Sequence, residues 1–348
     1  MSNRTRALKR SHTLKIVLGI AVTFACLAAA MWGLPYEEIR DSFKQANYAT
    51  LPVLLIFLYL FFWLKAIRWK MLLHPLRDLQ TREVVPAMMI GFMGNNILPA
   101  HLGEFMRMVV LGRQYKLSMT GVFSTVVLER IIDMAVILML LGGGLFFSKQ
   151  LPAEYRTASL VMAGLTLFAV LFVVVYVVWT GPFVRTVEWM LSKLPFVPEK
   201  LQTKVAEMLE AGAAGLHAIR NVKLLSGIVI TSFLQWFFNG CMVYVSLWSF
   251  GVRDLSPAAS FITMGAVAVA VIIPSTPGFV GVVQLGFTAS LKLFGVEHAD
   301  AFGASVYYHI AQYVPVTLVG LYYLSRTGFR LGDIEREAVQ EEESLVEE

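Results

Sequence analysis

The sequence predicts an all-α polytopic membrane protein with about six transmembrane helices and two re-entrant helical hairpins in an inverted-topology repeat. Three observations support this fold class. Of the 348 residues, 57% are hydrophobic and 15% are charged, whereas about a quarter of the residues in a soluble domain are charged. Several apolar runs reach the roughly 20 residues that a helix needs to cross the hydrocarbon core. Two further apolar runs are interrupted by proline and glycine.

Six runs are long and apolar enough to be spans, with boundaries that are uncertain by a few residues. They are Leu14 to Trp32, Leu51 to Trp69, Met119 to Phe147, Ala158 to Trp179, Leu224 to Phe250 and Ala301 to Leu324. The first run follows basic residues, as a signal peptide does, but its length favours a retained anchor helix. The positive-inside rule places both termini of this multi-pass plasma-membrane protein in the cytoplasm.

The apolar segment from Val84 to Leu111 is too long for one upright span. As one straight helix it would extend about 42 Å, and Pro99 and several glycines interrupt it. If it crossed the bilayer, the basic residues after it would lie outside, against the positive-inside rule. We therefore expect a re-entrant hairpin, and a tilted full span is the alternative.

A second broken segment, Ala266 to Phe287, lies between the last two spans. It contains two prolines and two glycines at Pro274, Pro277, Gly278 and Gly281. The order of span, broken hairpin and span therefore occurs twice, over about residues 51–147 and 224–325, and the two halves enter from opposite faces. Broken segments at matching places in two inverted halves indicate the midplane binding site of a transporter.

The membrane domain is expected to cover residues 1–330 and to include a basic cytoplasmic connector, residues 181–223. Apolar residues recur there at helical spacing, which predicts a helix on the membrane surface or packed against the domain. Residues 331–348 are strongly acidic and predict a disordered cytoplasmic tail. Without the tail charge of −7, the net charge of +5 becomes +12. Basic residues beside apolar segments favour anionic lipid over nucleic acid as a partner.

The polar loop of the first hairpin is the first candidate site. It contains Asn95, Asn96, Pro99 and His101, and the second arm contains Gly103. Irregular backbone within a bilayer is tolerated only beside protein or a water-filled cavity, and a helix that begins there attracts anions at its N-terminus. Glu104 and Arg107 then share one helical face (i, i+3), as an anion and proton site or as a structural ion pair.

The third span contains the segment VVLERIIDMAV, which places Glu129 and Asp133 on one helical face and Arg130 near Asp133. Three charges facing lipid at the bilayer centre would cost about 8 to 10 kcal/mol. These side chains must therefore face the protein interior, a cavity or the cytoplasmic interface. We expect either a functional site or a pairing that locks two helices together.

The second half carries fewer charges at the matching positions. Gln284 follows the second hairpin loop, His309 and Gln312 lie in the last span, and Gln235 and Asn239 lie in the fifth. His309 is either a charge switch near neutral pH or a hydrogen-bonding partner of a neighbouring helix. Arg68 closes the second span, as a phosphate ligand or as a snorkelling anchor. Neither a metal site nor a cofactor motif is indicated.

Four segments, KAIRWKMLL, GFMGNNILPAHLGEFMRMVVLGR, VVLERIIDMAV and IIPSTPGFVGVVQLG, resemble the lysylphosphatidylglycerol synthase transmembrane region, also called the flippase-like family. The resemblance extends from about Lys65 to Leu324. It implies inverted repeats with re-entrant helices and the movement of lipids or lipid-linked intermediates between leaflets. It also implies lipid-facing positions in the two hairpins and the following span. These are Asn96, Pro99, Gly103, Glu104, Arg107, Glu129, Arg130, Asp133, Pro274, Pro277, Gly278 and Gly281.

Two departures from the family pattern concern the hairpins. His101 replaces a frequent arginine, and Gln284 replaces a frequent glutamate, which argues against proton coupling at the second hairpin. The leading hypothesis is a translocator of an anionic phospholipid or a polyprenyl-phosphate-linked lipid. The rival is a transferase that acts on such a lipid, and a third reading is a membrane scaffold. A homo-oligomer or a partner from glycan or lipid synthesis is compatible with each.

Overall fold

The computed structural model describes residues 20–98, 102–148, 180–193, 222–271 and 277–347, and the single positions 157, 161, 164 and 168. Apart from the four single positions, which are also helical, these residues form twelve α-helices, and no β-strand occurs among the described residues. The all-α prediction is therefore confirmed for this part of the chain. Pro99, His101 and Pro274 lie outside the described residues, as do most of the predicted span Ala158 to Trp179 and the proposed connector helix.

The helices follow one another in two similar series. Two short helices come first, α1 (Ile20–Ala30) and α2 (Tyr36–Gln45). The first series is α3 (Leu51–Leu73), α4 (Thr81–Ile97), α5 (Leu102–Tyr115) and α6 (Met119–Phe147). After α7 (Thr180–Ser192), the second series is α8 (Val222–Ser249), α9 (Pro257–Ala270), α10 (Val282–Lys292) and α11 (His298–Thr327). The last helix is α12 (Leu331–Glu347).

Three stretches of helix in the described part are long and apolar enough to cross a membrane. They are Tyr48–Leu73, Met119–Phe147 and Lys223–Ser249, and they correspond to the predicted second, third and fifth spans. The predicted sixth span lies within the 30 residues of α11, and the described part of the first is α1. In each series, two long helices enclose two short ones.

The short helices of the first series, α4 and α5, form an antiparallel hairpin with very close backbone packing. Gly91 on α4 faces Arg107, whereas Gly94, one turn later, faces Gly103 and Met106. A side chain on Gly103 would overlap the carbonyl oxygen of Gly91. Since α4 ends at Ile97 and α5 begins at Leu102, Val84 to Leu111 is not one straight helix.

The short helices of the second series, α9 and α10, form the corresponding hairpin. The Ser290 hydroxyl donates to Thr263 Oγ1 at 3.1 Å, and Gly286 lies against Val267, so these helices are also antiparallel. A 3₁₀ turn at Pro277–Phe279 precedes α10. Gly278 and Gly281 have φ of 74° and 86°, a region that side chains with a Cβ rarely occupy. Glycine is therefore required for the tight turn into α10.

The two series pack against each other with opposite directions. The start of α3 meets the end of α8, where the hydroxyls of Thr50 and Ser249 lie 2.6 Å apart. Towards the other end of α3, Arg68 donates to Ser232 Oγ of α8 at 3.1 Å. Residue numbers therefore rise along one helix as they fall along the other.

The hairpins contact the last long helix of the opposite series. On α4, Asn96 Nδ2 donates to Thr317 Oγ1 of α11 at 2.9 Å. On α9, Ile262 lies against Gly144 of α6. The contact of α4 with α11 thus corresponds to the contact of α9 with α6, as expected if the two series are related by a two-fold axis.

The acidic segment after residue 330 is not disordered along its described length, which corrects the prediction from composition. Residues 331–347 form α12, whose side chains Ile334 and Ala338 are fully buried. Together with Leu331 they recur at helical spacing and give α12 an apolar face, which packs against α5. Arg113 of α5 forms an ion pair with Glu337. The apolar face, rather than the net charge, determines the structure of this segment.

Candidate functional site

Five charged side chains lie together in the core where α3, α5 and α6 meet. Lys65 and Arg68 lie one turn apart on α3, Arg107 comes from α5, and Glu129 and Asp133 lie one turn apart on α6. Each of them is at most 3% exposed. The helical spacing of the two acids is the reason why they face the same neighbours, as the sequence predicts.

Within this buried cluster each carboxylate has one closest arginine, and Arg68 Nη2 also lies 3.6 Å from Glu129 Oε1. Arg68 Nη1 lies 2.5 Å from Asp133 Oδ1, and Arg107 Nη1 lies 3.1 Å from Glu129 Oε2. The Lys65 side chain bridges both acids, with Nζ 3.0 Å from Glu129 Oε1 and 3.0 Å from Asp133 Oδ2. Partners at these distances offset the large cost of removing the charges from water.

Helix α8 contributes neutral donors to the same cluster. Gln235 Nε2 and Trp236 Nε1 each donate to Asp133 Oδ1 at 2.7 Å. The guanidinium of Arg107 lies 4.9 Å from the ring centroid of Trp69, a cation–π contact, and Trp69 Nε1 donates to Thr125 Oγ1 at 3.1 Å. The buried cluster therefore ties the two series of helices together.

A cavity of about 520 Å³ adjoins the buried cluster, between the two series of helices. Its lining comes from α3, α4, α5 and α6 of the first series and from α8 to α11 of the second. One part of the wall is polar. It includes Asn95, Asn96, Glu104, Arg130, Asp133, Asn239, His309 and Gln312. The rest is mainly apolar and aromatic, as in most pockets for organic ligands.

Arg130 is the partly exposed cation of this wall. Its side chain is 42% exposed, and its Nη2 lies 2.6 Å from Glu104 Oε1. Arg107 is paired instead with Glu129, so the expected ion pair between Glu104 and Arg107 is not formed. Asp133 is likewise bound by α3 and α8 rather than by Arg130. Partners on neighbouring helices replace those suggested by spacing along one helix.

The second hairpin presents its polar groups to the last helix of its own series. The side-chain oxygen of Gln284 accepts from the Gly281 N–H at 2.7 Å, which orients the amide so that its Nε2 donates to His309 Nδ1 at 3.1 Å. His309 Nε2 then carries the ring proton and donates to the Gly278 carbonyl at 2.7 Å. A neutral imidazole satisfies both contacts, as in the helix-bonding interpretation of this histidine.

The predicted site residues divide into three groups. Arg107 and Glu129 belong to the buried cluster, and Asp133 belongs to both the cluster and the cavity wall. Arg68 is also in the cluster at 0% exposure, which excludes a snorkelling anchor. Gly103 provides the close approach within the first hairpin, and Pro277 and Gly281 shape the turn before α10. The cavity is lined by Asn95, Asn96, Glu104, Arg130, Gly278 and His309, and Gln284 contacts His309.

Lys65 and Trp236 are the site residues that the sequence did not single out. Lys65 lies near the end of the predicted second span, Leu51 to Trp69. In fact, α3 continues to Leu73, and Lys65 is 2% exposed within it. The available signal was the spacing of Lys65 and Arg68 at i and i+3, which places two cations on one helical face.

Comparison with known proteins supports the family resemblance. Residues 16–320 match the family described as lysylphosphatidylglycerol synthase TM region. A UPF0104 membrane protein of Methanothermobacter thermautotrophicus is 25% identical over 333 residues, covering 90% of this chain and 95% of that protein. A UPF0104 membrane protein of Methanocaldococcus jannaschii is 26% identical over 237 residues, or 65% and 90% of the two chains. The glycosyltransferase AglD of Haloferax volcanii is 25% identical over 88% of this chain, which spans 53% of that protein.

Proposed function

Because this chain belongs to the family of the lysylphosphatidylglycerol synthase TM region, an integral membrane family, we propose that it moves an anionic lipid between the two leaflets. The cargo is a phospholipid or a polyprenyl-phosphate-linked lipid. The observation that carries the proposal is the cavity between the two series of helices. A wall with an exposed arginine suits an anionic headgroup, and the apolar remainder suits the start of the lipid chains.

The proposal includes an inverted repeat. Opposite directions of α3 and α8, together with the matching contacts of α4 with α11 and of α9 with α6, support a two-fold axis in the membrane plane. In this arrangement the hairpins α4–α5 and α9–α10 enter the plasma membrane from opposite faces, and both termini are cytoplasmic. Rocking of one half against the other would open the cavity to each leaflet in turn.

Within the cavity, Arg130 is the proposed ligand of the phosphate. Its pair with Glu104 is partly exposed, and such pairs stabilise a protein by at most about 1 kcal/mol. A phosphate accepts two hydrogen bonds from one guanidinium, which is a stronger contact than a single one. An arriving headgroup therefore displaces Glu104 from Arg130. Arg107 positions Glu129 behind the cavity wall, which revises the sequence-based role of Arg107 as a direct headgroup ligand.

Leaflet exchange in reconstituted vesicles tests the proposal. We expect fluorescent phosphatidylglycerol or a labelled polyprenyl phosphate to exchange in vesicles with the wild-type protein, and exchange to fall at least tenfold for Arg130→Gln. The matched control is Arg326→Gln, because Arg326 is an exposed arginine near the end of α11 that stacks on Tyr322. Equal exchange by Arg130→Gln and Arg326→Gln, or no exchange of either lipid by the wild type, would contradict the proposal.

A transferase acting on a lipid-linked substrate is the second candidate function, because one relative is named a glycosyltransferase. Since this chain spans only 53% of that relative, the name does not decide between the two functions. Mass spectrometry of the lipid recovered from the vesicles distinguishes them. A translocator leaves the lipid chemically unchanged, whereas a transferase increases its mass when a labelled donor is supplied.

A further inference from the structure

The buried cluster contains one more cation than it has carboxylates. Lys65, Arg68 and Arg107 would carry three positive charges, whereas Glu129 and Asp133 carry two negative charges. The closest arginine–carboxylate pairs are Arg68 with Asp133 and Arg107 with Glu129, which leaves the charge of Lys65 in excess. An uncompensated charge in the protein interior is strongly unfavourable, and the core must therefore lose a cation or gain an anion.

We propose that Lys65 is the proton-exchanging group of the transport cycle: a neutral amine while the cavity is empty, and an ammonium once an anionic headgroup is bound. This inference rests on the translocator function proposed above. Arginine does not lose its proton in proteins, and protonation of a carboxylate would increase the positive excess. Loss of one proton from Lys65 is therefore the step that leaves the five side chains electrically neutral.

The contacts of Lys65 are compatible with both protonation states. Its Nζ donates to Asp133 Oδ2 at 3.0 Å, and it lies 3.0 Å from Glu129 Oε1 as an ion pair without hydrogen-bond geometry. A neutral amine has two N–H groups and keeps the hydrogen bond to Asp133, and an ammonium has a third N–H. Among the described residues Asp133 is the hydrogen-bond acceptor found for Nζ, but Nζ also lies 5.5 Å from the ring centroid of Phe92 and 5.9 Å from that of Phe61. These rings stabilise the ammonium by cation–π contact when the proton is taken up.

Every helix around Lys65 contributes groups that favour or disfavour the charged form of its amine. From α6, Glu129 and Asp133 attract the ammonium and Arg130 repels it, and Arg68 of α3 repels it as well. Arg107 of α5 neutralises Glu129, and α8 contributes Gln235 and Trp236, which are uncharged donors to Asp133. Helix α4 contributes Phe92. Arg68 and Arg107 each have a closest carboxylate and keep their protons. Of these groups, Lys65 is therefore the one that can release a proton.

A route for the proton leads from the cavity to Lys65 through Asp133. Asp133 lines the cavity and accepts a hydrogen bond from Lys65, so a proton delivered to this carboxylate passes to the amine. A phosphate bound at Arg130 offsets the positive charge that repels the Lys65 ammonium, and this favours the ammonium. One headgroup and one proton therefore bind together, and release of the headgroup returns the proton to water.

Proton uptake during lipid binding tests the inference directly. The purified full-length protein in detergent and weak buffer is titrated with dihexanoyl phosphatidylglycerol in the presence of a pH indicator. We expect the wild type to take up about one proton per lipid, and its affinity to fall up to tenfold per pH unit as the pH rises. Lys65→Arg and Lys65→Met should take up none, and Lys65→Arg should bind with an affinity that does not change with pH. Lys70→Arg, a less buried lysine of the same helix, is the matched control and should behave as the wild type.

Two outcomes would overturn the inference while leaving lipid transport intact: lipid binding by the wild type without proton uptake, or uptake by Lys65→Arg equal to that of the wild type. If no form binds the lipid, the proposed function fails, and a measurement without lipid still tests Lys65. A neutral amine in the folded protein becomes an ammonium on unfolding at neutral pH, so unfolding takes up a proton and stability rises with pH. The Tm of the wild type should therefore rise from pH 7 to pH 9 relative to Lys65→Met. Parallel curves would refute a neutral Lys65.

Discussion

The close approach of α4 and α5 leads to a quantitative prediction for Gly103→Ala. A Cβ at this position would lie 2.5 Å from the backbone nitrogen of Asn95, 2.6 Å from its Oδ1, and closer still to the carbonyl oxygen of Gly91. Non-bonded atoms of this kind pack at about 3.5 Å, so the two helices must separate by about 1 Å. Because two of the three obstructing atoms belong to the backbone, a change of rotamer does not relieve the overlap.

Separation of the hairpin should lower both stability and function. Overpacking of a well-packed core costs about 1–3 kcal/mol, and it should appear as a lower Tm by intrinsic tryptophan fluorescence in detergent. A displacement of about 1 Å also moves Glu104 away from Arg130, and a misplacement of that size reduces the rate of a positioned reaction up to about 100-fold. Leaflet exchange should therefore fall even at a temperature where Gly103→Ala is fully folded.

Gly143→Ala is the matched control. Gly143 is also a helical glycine, in α6, but an added Cβ would meet no atom within 4 Å. Replacing glycine by alanine within a helix stabilises it by up to about 1 kcal/mol, so the Tm should stay equal or rise. If Gly103→Ala matches Gly143→Ala in both Tm and exchange, the two helices are not in the close contact from which the prediction is derived.

Three further comparisons test separate features by thermal denaturation, amide hydrogen exchange and limited proteolysis. Glu129→Gln leaves buried cations uncompensated and should lower the free energy of unfolding by about 3–5 kcal/mol. Glu104→Gln breaks a partly exposed pair and should lower the free energy of unfolding by at most about 1 kcal/mol. Equal effects of the two substitutions would contradict the difference in burial between the two pairs. Gln284→Leu removes the acceptor at the start of α10 and should cost about 1 kcal/mol, with faster amide hydrogen exchange confined to that end. Ile334→Asp should detach α12 and expose it to limited proteolysis, and Arg336→Asp on the exposed face should not.

The interruption of the two broken segments and the shared face of Glu129 and Asp133 followed from the sequence. Proline and glycine interrupt both broken segments, since neither residue stabilises the middle of a helix. The i, i+4 spacing places Glu129 and Asp133 on one face whatever surrounds the helix. These features depend on neighbours along the chain, which a sequence displays directly.

The pairing of charges did not follow from the sequence. Spacing along one helix suggested Glu104 with Arg107, but these two side chains bind partners on α6, and Glu129 is bound from α3 and α5. The composition of residues 331–348 likewise suggested disorder, although Ile334 and Ala338 pack against α5. An ion pair or an apolar contact between helices depends on their relative placement, and the spacing of residues along one of them does not contain that information.

The amino-acid sequence by itself determined that this is a helical membrane protein of a lipid-associated family, with two interrupted segments and charged side chains that cannot face lipid. Only the tertiary structure decided that Arg107 is buried while Arg130 reaches the cavity, and that Lys65 belongs to the core. The physical reason is that hydrophobicity and helical periodicity are properties of each segment, whereas burial, cavity walls and the balance of charges are produced when segments from both halves pack together.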